Sequence, residues 1–305
     1  MRFTVYQVSR KGGREKNEDR IGYCYTRDSG LFALADGMGG HPEGEVASQL
    51  ALQTIAALFQ RDSKPTLADP LKFLQEAIVA GHHQLLSYAT QKALIDTPRT
   101  TMVACLLQGN FAYWAHCGDS RLYLVRGEKM VARTRDHSYS ELHHTLNHVV
   151  PLNGKFNRNV LFTCLGSPGK PVIDTIGPVR LRPGDKLLLC SDGLWGTVSD
   201  AVIVDLLGKK PIEQAVPELV EQALRNGGAK CDNVSALAVE WEGSEDSESL
   251  QAGVTTNSLG DEVFASTIQA SVRGNDAPEE LDEAEIERSI KEINEAIKRS
   301  SLKKS

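Results

Sequence analysis

Apolar and polar positions change period several times along the chain, and each change marks an element. Leu31-Phe32-Ala33-Leu34-Ala35 is an uninterrupted apolar run ending at Asp36-Gly37, the pattern of a strand buried on both faces that enters a turn. Residues 3–8 form a shorter β-prone run at the start. From residue 46 to 59 the apolar positions Val46, Leu50, Ile55, Leu58 and Phe59 recur at helical spacing, and Asp69-Pro70 opens a second helix through Phe73, Leu74, Ile78, Leu85 and Tyr88. β-prone runs return over residues 100–107, 111–117 and 121–125, separated by Gln108-Gly109-Asn110 and closed by Arg126-Gly127-Glu128. Further strands are expected over residues 160–163, 172–176 and 186–190, a helix pair over 200–207 and 212–226, and a last strand over 234–241. Strand blocks alternating with helix pairs, rather than a strict βαβ rhythm, predict an α+β fold: a central antiparallel β-sandwich flanked by helix pairs, αββα.

The pattern fails after residue 242. Residues 243–275 are rich in Ser, Thr, Gly and acid, which predicts a flexible linker. From Asp276 a helix is expected to residue 305, with acids in its first turns, bases at its end, and Ile286, Ile290, Ile293 and Ile297 along one face. The expected organisation is thus a domain over 1–242, a linker over 243–275 and an amphipathic helix over 276–305. That isoleucine face is a candidate surface for a partner or for self-association.

Charge sharpens this division. The net charge is -6, from 34 Lys+Arg and 40 Asp+Glu, but residues 243–305 alone hold 14 acids and 7 bases, so the preceding domain is close to neutral. Neither part has the basic excess of a nucleic-acid coat or a membrane-surface binder. The first twenty residues lack the apolar stretch of a secretory signal, and there is no run of about 18 apolar residues. No nucleic acid, no membrane and a cytoplasmic location are expected. The six cysteines are scattered singly, as reduced core thiols would be.

Candidate chemistry lies in four acidic segments: Asn17-Glu18-Asp19-Arg20, Ala35-Asp36-Gly37, Cys190-Ser191-Asp192-Gly193 and Cys231-Asp232-Asn233. Three sit at the edge of a β-prone run, where an ionised carboxylate needs a partner. Asp-Gly is also an ordinary turn dipeptide, so spacing alone leaves two readings open. If a cation is the partner, an all-oxygen donor set favours Mg²⁺ or Mn²⁺ over Zn²⁺.

The wording of the motifs goes further. Arg14-Glu15-Lys16-Asn17-Glu18-Asp19-Arg20, Asp36-Gly37-Met38-Gly39-Gly40, Thr100-Thr101, Gly118-Asp119-Ser120-Arg121-Leu122-Tyr123, Asp136-His137-Ser138, Ser191-Asp192-Gly193-Leu194-Trp195 and Asp232-Asn233-Val234-Ser235 occur in this order. In that ordered set the chain resembles bacterial metal-dependent protein Ser/Thr phosphatases of type 2C. The resemblance implies hydrolysis of phosphoserine and phosphothreonine on proteins by a water activated at two Mn²⁺ or Mg²⁺ ions, opposing a Ser/Thr kinase. It also implies that Asp36 bridges the ions, that the Gly37 carbonyl holds one, and that Asp192 and Asp232 hold the other. Glu18 and Asp19 would support them through water, Asp119 with Asp192 would hold a third, weaker ion, and Arg14 would grip the substrate phosphate. The alternative is a catalytically silent module of the same fold that binds phosphoproteins.

Three departures accompany the resemblance. Met38 stands where animal relatives carry a proton-donating histidine, which leaves metal-bound water or His41 as the acid. Arg99 and Phe162-Thr163-Cys164 replace commoner residues. His137, His143, His144 and His148 cluster in the stretch corresponding to a flap beside the cleft; His144 and His148 have zinc-like spacing but lack the following glutamate of H-E-x-x-H.

Overall fold

The computed structural model describes residues 1–39, 43–147, 160–243 and 265–268, all within the unit Met1–Ala270. In chain order the strands are β1 (Arg2–Arg10), β2 (Asp19–Tyr25), β3 (Ser29–Asp36), β4 (Met102–Gln108), β5 (Phe111–Cys117), β6 (Arg121–Arg126), β7 (Lys129–Arg133), β8 (Asp174–Arg180), β9 (Lys186–Cys190), β10 (Val234–Gly243) and β11 (Ala265–Ser266). The helices are α1 (Gly44–Asp62), α2 (Pro70–Gln91), α3 (Tyr139–Asn147), α4 (Asp192–Trp195), α5 (Asp200–Lys209) and α6 (Ile212–Gly227). Asp69 caps α2 by accepting a hydrogen bond from the Lys72 amide, with Pro70 in the first turn.

Two antiparallel sheets form, with strand orders β1-β10-β9-β6-β7 and β11-β2-β3-β4-β5-β8. Side-chain alternation then creates three apolar layers. Phe32 and Leu34 of β3, Val103 and Leu107 of β4, Leu187 and Leu189 of β9, and Leu237 and Trp241 of β10 meet between the sheets. Leu31, Ala33 and Ala35 point the other way, onto Ile55 and Phe59 of α1 and Leu74 and Ile78 of α2. Leu188, Ala236 and Ala238 face Ile203 of α5 and Val216 and Leu219 of α6. The αββα order expected from the sequence is the architecture found, and the uninterrupted apolar run of β3 is explained by burial on both faces.

Three details differ from expectation. Residues 160–163 form no strand: Leu161 makes a single bridge to Ser138. β2 and β7 carry no clear apolar run, being held by their neighbours β3 and β6. Within the expected linker, Ala265–Ser266 pairs with β2 opposite Tyr25 and Cys24, and Ile268 is buried in the layer beneath α1. Main-chain pairing needs no apolar periodicity, so a four-residue attachment is invisible in a Ser/Thr-rich stretch. The rest of the linker and the isoleucine helix at 276–305 lie outside the described residues.

Gly22 makes room for this attachment, since a Cβ there would stand 2.6 Å from Ile268 Cγ1. Gly22→Val is expected to expel Ile268 and destabilise the fold by about 1–3 kcal/mol, as overpacking does. Hydrogen exchange should show it as lost protection of the Tyr23 and Thr267 amides, which are bonded across this edge.

Candidate active site

The acidic segments are gathered at one end of the sandwich by strand register. Asp19 begins β2 and Asp36 ends β3, directly opposite one another in one sheet. In the other sheet, the backbone just beyond β9 pairs with the start of β10, through the Ser191 amide bonded to the Ser235 carbonyl at 3.1 Å. Asp192 follows Ser191 as the first residue of α4, and Asp232 lies two residues before β10. Asp119 sits in the turn from β5 to β6, where the chain passes from one sheet to the other with Gly118 at φ 110°. Ser191 ties the two halves together by donating from Oγ to Asp19 Oδ2 at 2.8 Å.

The backbone around Asp36 is fixed from both sides. Its amide donates to Thr101 Oγ1 at 3.1 Å, and its carbonyl accepts from the Thr101 amide and Thr100 Oγ1, each at 2.9 Å. Gly37 donates its amide to the Glu18 carbonyl at 3.2 Å, and a Cβ at Gly37 would lie 2.3 Å from the Gly44 carbonyl oxygen. Only glycine lets this turn pass under the start of α1. The Glu18 carboxylate rests against the same helix start, with Oε1 2.7 Å from where a Gly44 Cβ would be.

Asn233 is a residue that sequence reasoning left without a role. Its Oδ1 accepts from the Glu18 amide at 2.8 Å, and its Nδ2 donates to the carbonyls of Lys11 and Lys16 at 2.8 and 2.9 Å. It therefore holds the loop bearing Arg14 and Glu18 against the segment bearing Asp232 that leads into β10; the only sequence signal for it was its place in Asp232-Asn233-Val234-Ser235. Asn233→Ala is expected to cost about 1–3 kcal/mol, because the buried Asn233 amide makes three hydrogen bonds to the loop that alanine cannot replace. Chemical denaturation would read this loss, together with weaker Mn²⁺ binding by calorimetry.

Like charges held this close raise one another's proton affinity. Asp36 and Asp192 keep partial exposure at the cleft, yet burial raises both well above the usual carboxylate range. Next in size are Asp19 acting on Asp36 and Asp119 acting on Asp192. Burial, followed by Asp136, pushes Asp119 up to about 7. Asp19 is raised by burial, and its Oδ1 has no hydrogen-bond partner although it is out of contact with solvent. Glu18 is raised by burial and then by Glu45. An orphaned carboxylate oxygen among mutually repelling carboxylates is the environment a hard cation relieves.

The donors are spread rather than clustered on one point. Among the described residues, the one group of three possible ligand atoms within 4.8 Å of one another is His116, His137 and Asp174, outside this constellation. Mg²⁺ and Mn²⁺ sites need few protein oxygens per ion, Mg²⁺ in particular keeping several waters, so a spread set fits two ions. Arg14 stands at the rim, donating from Nη2 to Asp232 Oδ2 at 2.6 Å, which raises its proton affinity further.

The expected residues Arg14, Glu18, Asp19, Asp36, Gly37, Asp119, Asp192 and Asp232 thus all belong to this end of the molecule. Gly40, His41, His148 and the rest of the flap to residue 159 lie outside the described residues. Met38 is placed by its amide, which donates to the Arg99 carbonyl at 2.9 Å, while the Arg99 side chain pairs with Asp96 at 3.0 Å. Thr163 accepts from the Val172 amide at 2.9 Å. Cys190 and Cys231 are buried free thiols whose ionisation burial disfavours, consistent with core packing.

A sequence model of the family described as Protein phosphatase 2C matches residues 8–230. The serine/threonine protein phosphatase PstP of Mycobacterium tuberculosis is 35% identical over 227 residues, covering 74% of this chain and 42% of the relative. This chain therefore spans about two-fifths of that protein's length. The serine/threonine phosphatase stp of Listeria innocua is 31% identical over 77% of this chain and 94% of its own. Among solved structures, the catalytic domain of serine threonine protein phosphatase PstP in complex with two manganese ions superposes with a TM-score of 0.64 at 31% identity, covering 78% of this chain and 97% of that one.

Proposed function

This chain belongs to the protein phosphatase 2C family, and from that premise we propose that it hydrolyses phosphoserine and phosphothreonine on proteins with two Mn²⁺ or Mg²⁺ ions. The observation that carries the reading is the convergence of Asp19 and Asp36 from one sheet with Asp192 and Asp232 from the other, joined by the Ser191–Asp19 bond. Its support includes a relative whose structure holds two manganese ions.

In this reading Asp36, the Gly37 carbonyl, Asp192 and Asp232 would hold the pair of ions, Glu18 and Asp19 would support them through water, and Asp119 with Asp192 would hold a third. Bound there, the ions supply Lewis acidity and a nucleophile at neutral pH. The protein's own part is positional. Thr100 and Thr101 lock the backbone that presents Asp36 and the Gly37 carbonyl. Asn233 fixes the loop of Arg14, whose guanidinium leaves Asp232 to clamp two phosphate oxygens of the substrate, a fork that a lysine ammonium does not reproduce. No histidine occupies the position of Met38, so the proton for the leaving alkoxide would come from water at the site or from His41.

A cognate Ser/Thr kinase would supply the substrates, in the cytoplasm of a bacterium, and the isoleucine face at 276–305 would recruit a partner or a second copy. No helix among the described residues is long and apolar enough to cross a membrane.

A phosphothreonine peptide and an aryl phosphate should both be hydrolysed with Mn²⁺ or Mg²⁺ present, and chelation should abolish both reactions. Absence of turnover with every divalent ion, in protein that still binds Mn²⁺, would replace this reading by the silent phosphoprotein-binding module.

A further inference from the structure

His116, His137 and Asp174 come from three separate parts of the chain. His116 is in β5, and Asp174 is its cross-strand partner at the start of β8. His137 lies in the loop after β7, held by its amide on the Gly118 carbonyl at 3.0 Å and by its own carbonyl accepting from the Phe162 amide at 3.0 Å. The two imidazoles stack with centroids 4.5 Å apart and planes 24° apart, and Phe162 covers His137 at 5.3 Å.

Stacked core histidines ordinarily satisfy both ring nitrogens, and these do not. His116 and His137 are only 2% and 3% exposed, yet His116 Nδ1 and His137 Nε2 have no hydrogen-bond partner. Asp174 Oδ2 stands 3.4 Å from His137 Nε2, and one ligand atom from each of the three residues lies within 4.8 Å of the other two.

The second nitrogen of each ring fixes the chemistry. His116 Nε2 donates its proton to the Arg135 carbonyl at 2.7 Å, which leaves Nδ1 with a lone pair and gives the carbonyl-oriented imidazole typical of metal ligands. His137 Nδ1 accepts from the Gly118 amide at 3.2 Å, so its ring proton sits on Nε2. Coordination through Nε2 moves that proton to Nδ1 and opens the long Gly118 contact, with no net proton released. One weak hydrogen bond is exchanged for a coordination bond.

We propose that His116 Nδ1, His137 Nε2 and an Asp174 carboxylate oxygen bind one borderline divalent ion of the Zn²⁺ class, at a site separate from the catalytic carboxylates. Two imidazoles and one carboxylate with a fourth position left to water match the donor set of tetrahedral zinc, and differ from the all-oxygen set at Asp36, Asp192 and Asp232. The Asp174 side chain is 55% exposed and provides the path of entry. Because ligation releases the Gly118 amide, the ion acts on the turn that presents Asp119.

The test is a Co²⁺ titration of the full chain in excess Mg²⁺. Cobalt among the catalytic oxygens is octahedral and absorbs weakly, whereas cobalt at this site gives the intense visible band of a tetrahedral centre. One equivalent of Co²⁺ is expected to develop that band and one equivalent of Zn²⁺ to remove it. The band should vanish in Asp174→Asn, a half-exposed position whose change leaves the fold intact, and in His116→Ala. Absence of the band in the unaltered chain means that the pocket holds only water and overturns the proposal, as does a band that persists in folded Asp174→Asn. Neither outcome depends on phosphatase turnover.

Discussion

Asp192→Asn is expected to lower phosphopeptide hydrolysis by about a thousand-fold or more while the protein stays folded, since the proposed metal site would lose a carboxylate and with it several kcal/mol of transition-state stabilisation. The same variant should be more stable than the parent when both are stripped of metal. Burial and the neighbours Asp119 and Asp232 raise the proton affinity of Asp192 in the folded protein above its unfolded value. A carboxylate raised in this way weakens folding as pH climbs from the unfolded to the folded pKa, and the full penalty is present above both. At neutral pH, asparagine removes the penalty and keeps the shape. Mn²⁺ should reverse the order, because it raises the melting temperature of the parent by binding only the native state and does so much less for the variant. Differential scanning calorimetry with and without Mn²⁺, beside a turnover assay, separates the possibilities. Near-parental turnover in folded Asp192→Asn would remove Asp192 from the metal site.

How much of this was legible in the chain depended on whether the cause was local. β3 and β4 could be read because burial on both faces leaves an apolar residue at nearly every position, and α2 because Asp69 and Pro70 announce its start. β7 could not: it is an edge strand with Met130 and Val131 exposed, specified by pairing with β6 rather than by its own pattern. The expectation of a strand at 160–163 failed for the opposite reason, since β-prone residues there found only one bridge partner among the described residues. The same contrast holds for the site. The carboxylates were visible as motif residues, but Asn233 and Ser191 act by joining loops far apart in sequence, and only the fold brings their partners within reach. Local spacing singled out His144 and His148 as a zinc-like pair, whereas the donor set in the described structure combines β5, β8 and the loop after β7.

Arg121→Ala should be the most destabilising single replacement in the network behind the site, at about 3–5 kcal/mol. Arg121 is 7% exposed, and its guanidinium forks onto Asp136, Nε to Oδ1 and Nη2 to Oδ2, both at 2.7 Å. Its remaining nitrogen reaches the Tyr123 hydroxyl at 3.1 Å and Asp200 at 3.3 Å, and its plane lies 3.6 Å over the Trp195 ring. Trp195 in turn donates to the Asp119 carbonyl at 3.0 Å, so the stack also steadies the turn that carries Asp119. Truncating Arg121 leaves the Asp136 carboxylate buried without its counter-charge and facing Asp119, whose proton affinity Asp136 already raises. Arg121→Lys should recover little, because an ammonium cannot make the paired bonds or the stack. The decisive comparison is a double-mutant cycle with Asp136→Leu by urea denaturation. If the uncompensated carboxylate is the cause, Arg121→Met with Asp136→Leu will be more stable than Arg121→Met alone; if the pair only packs, the two losses will add.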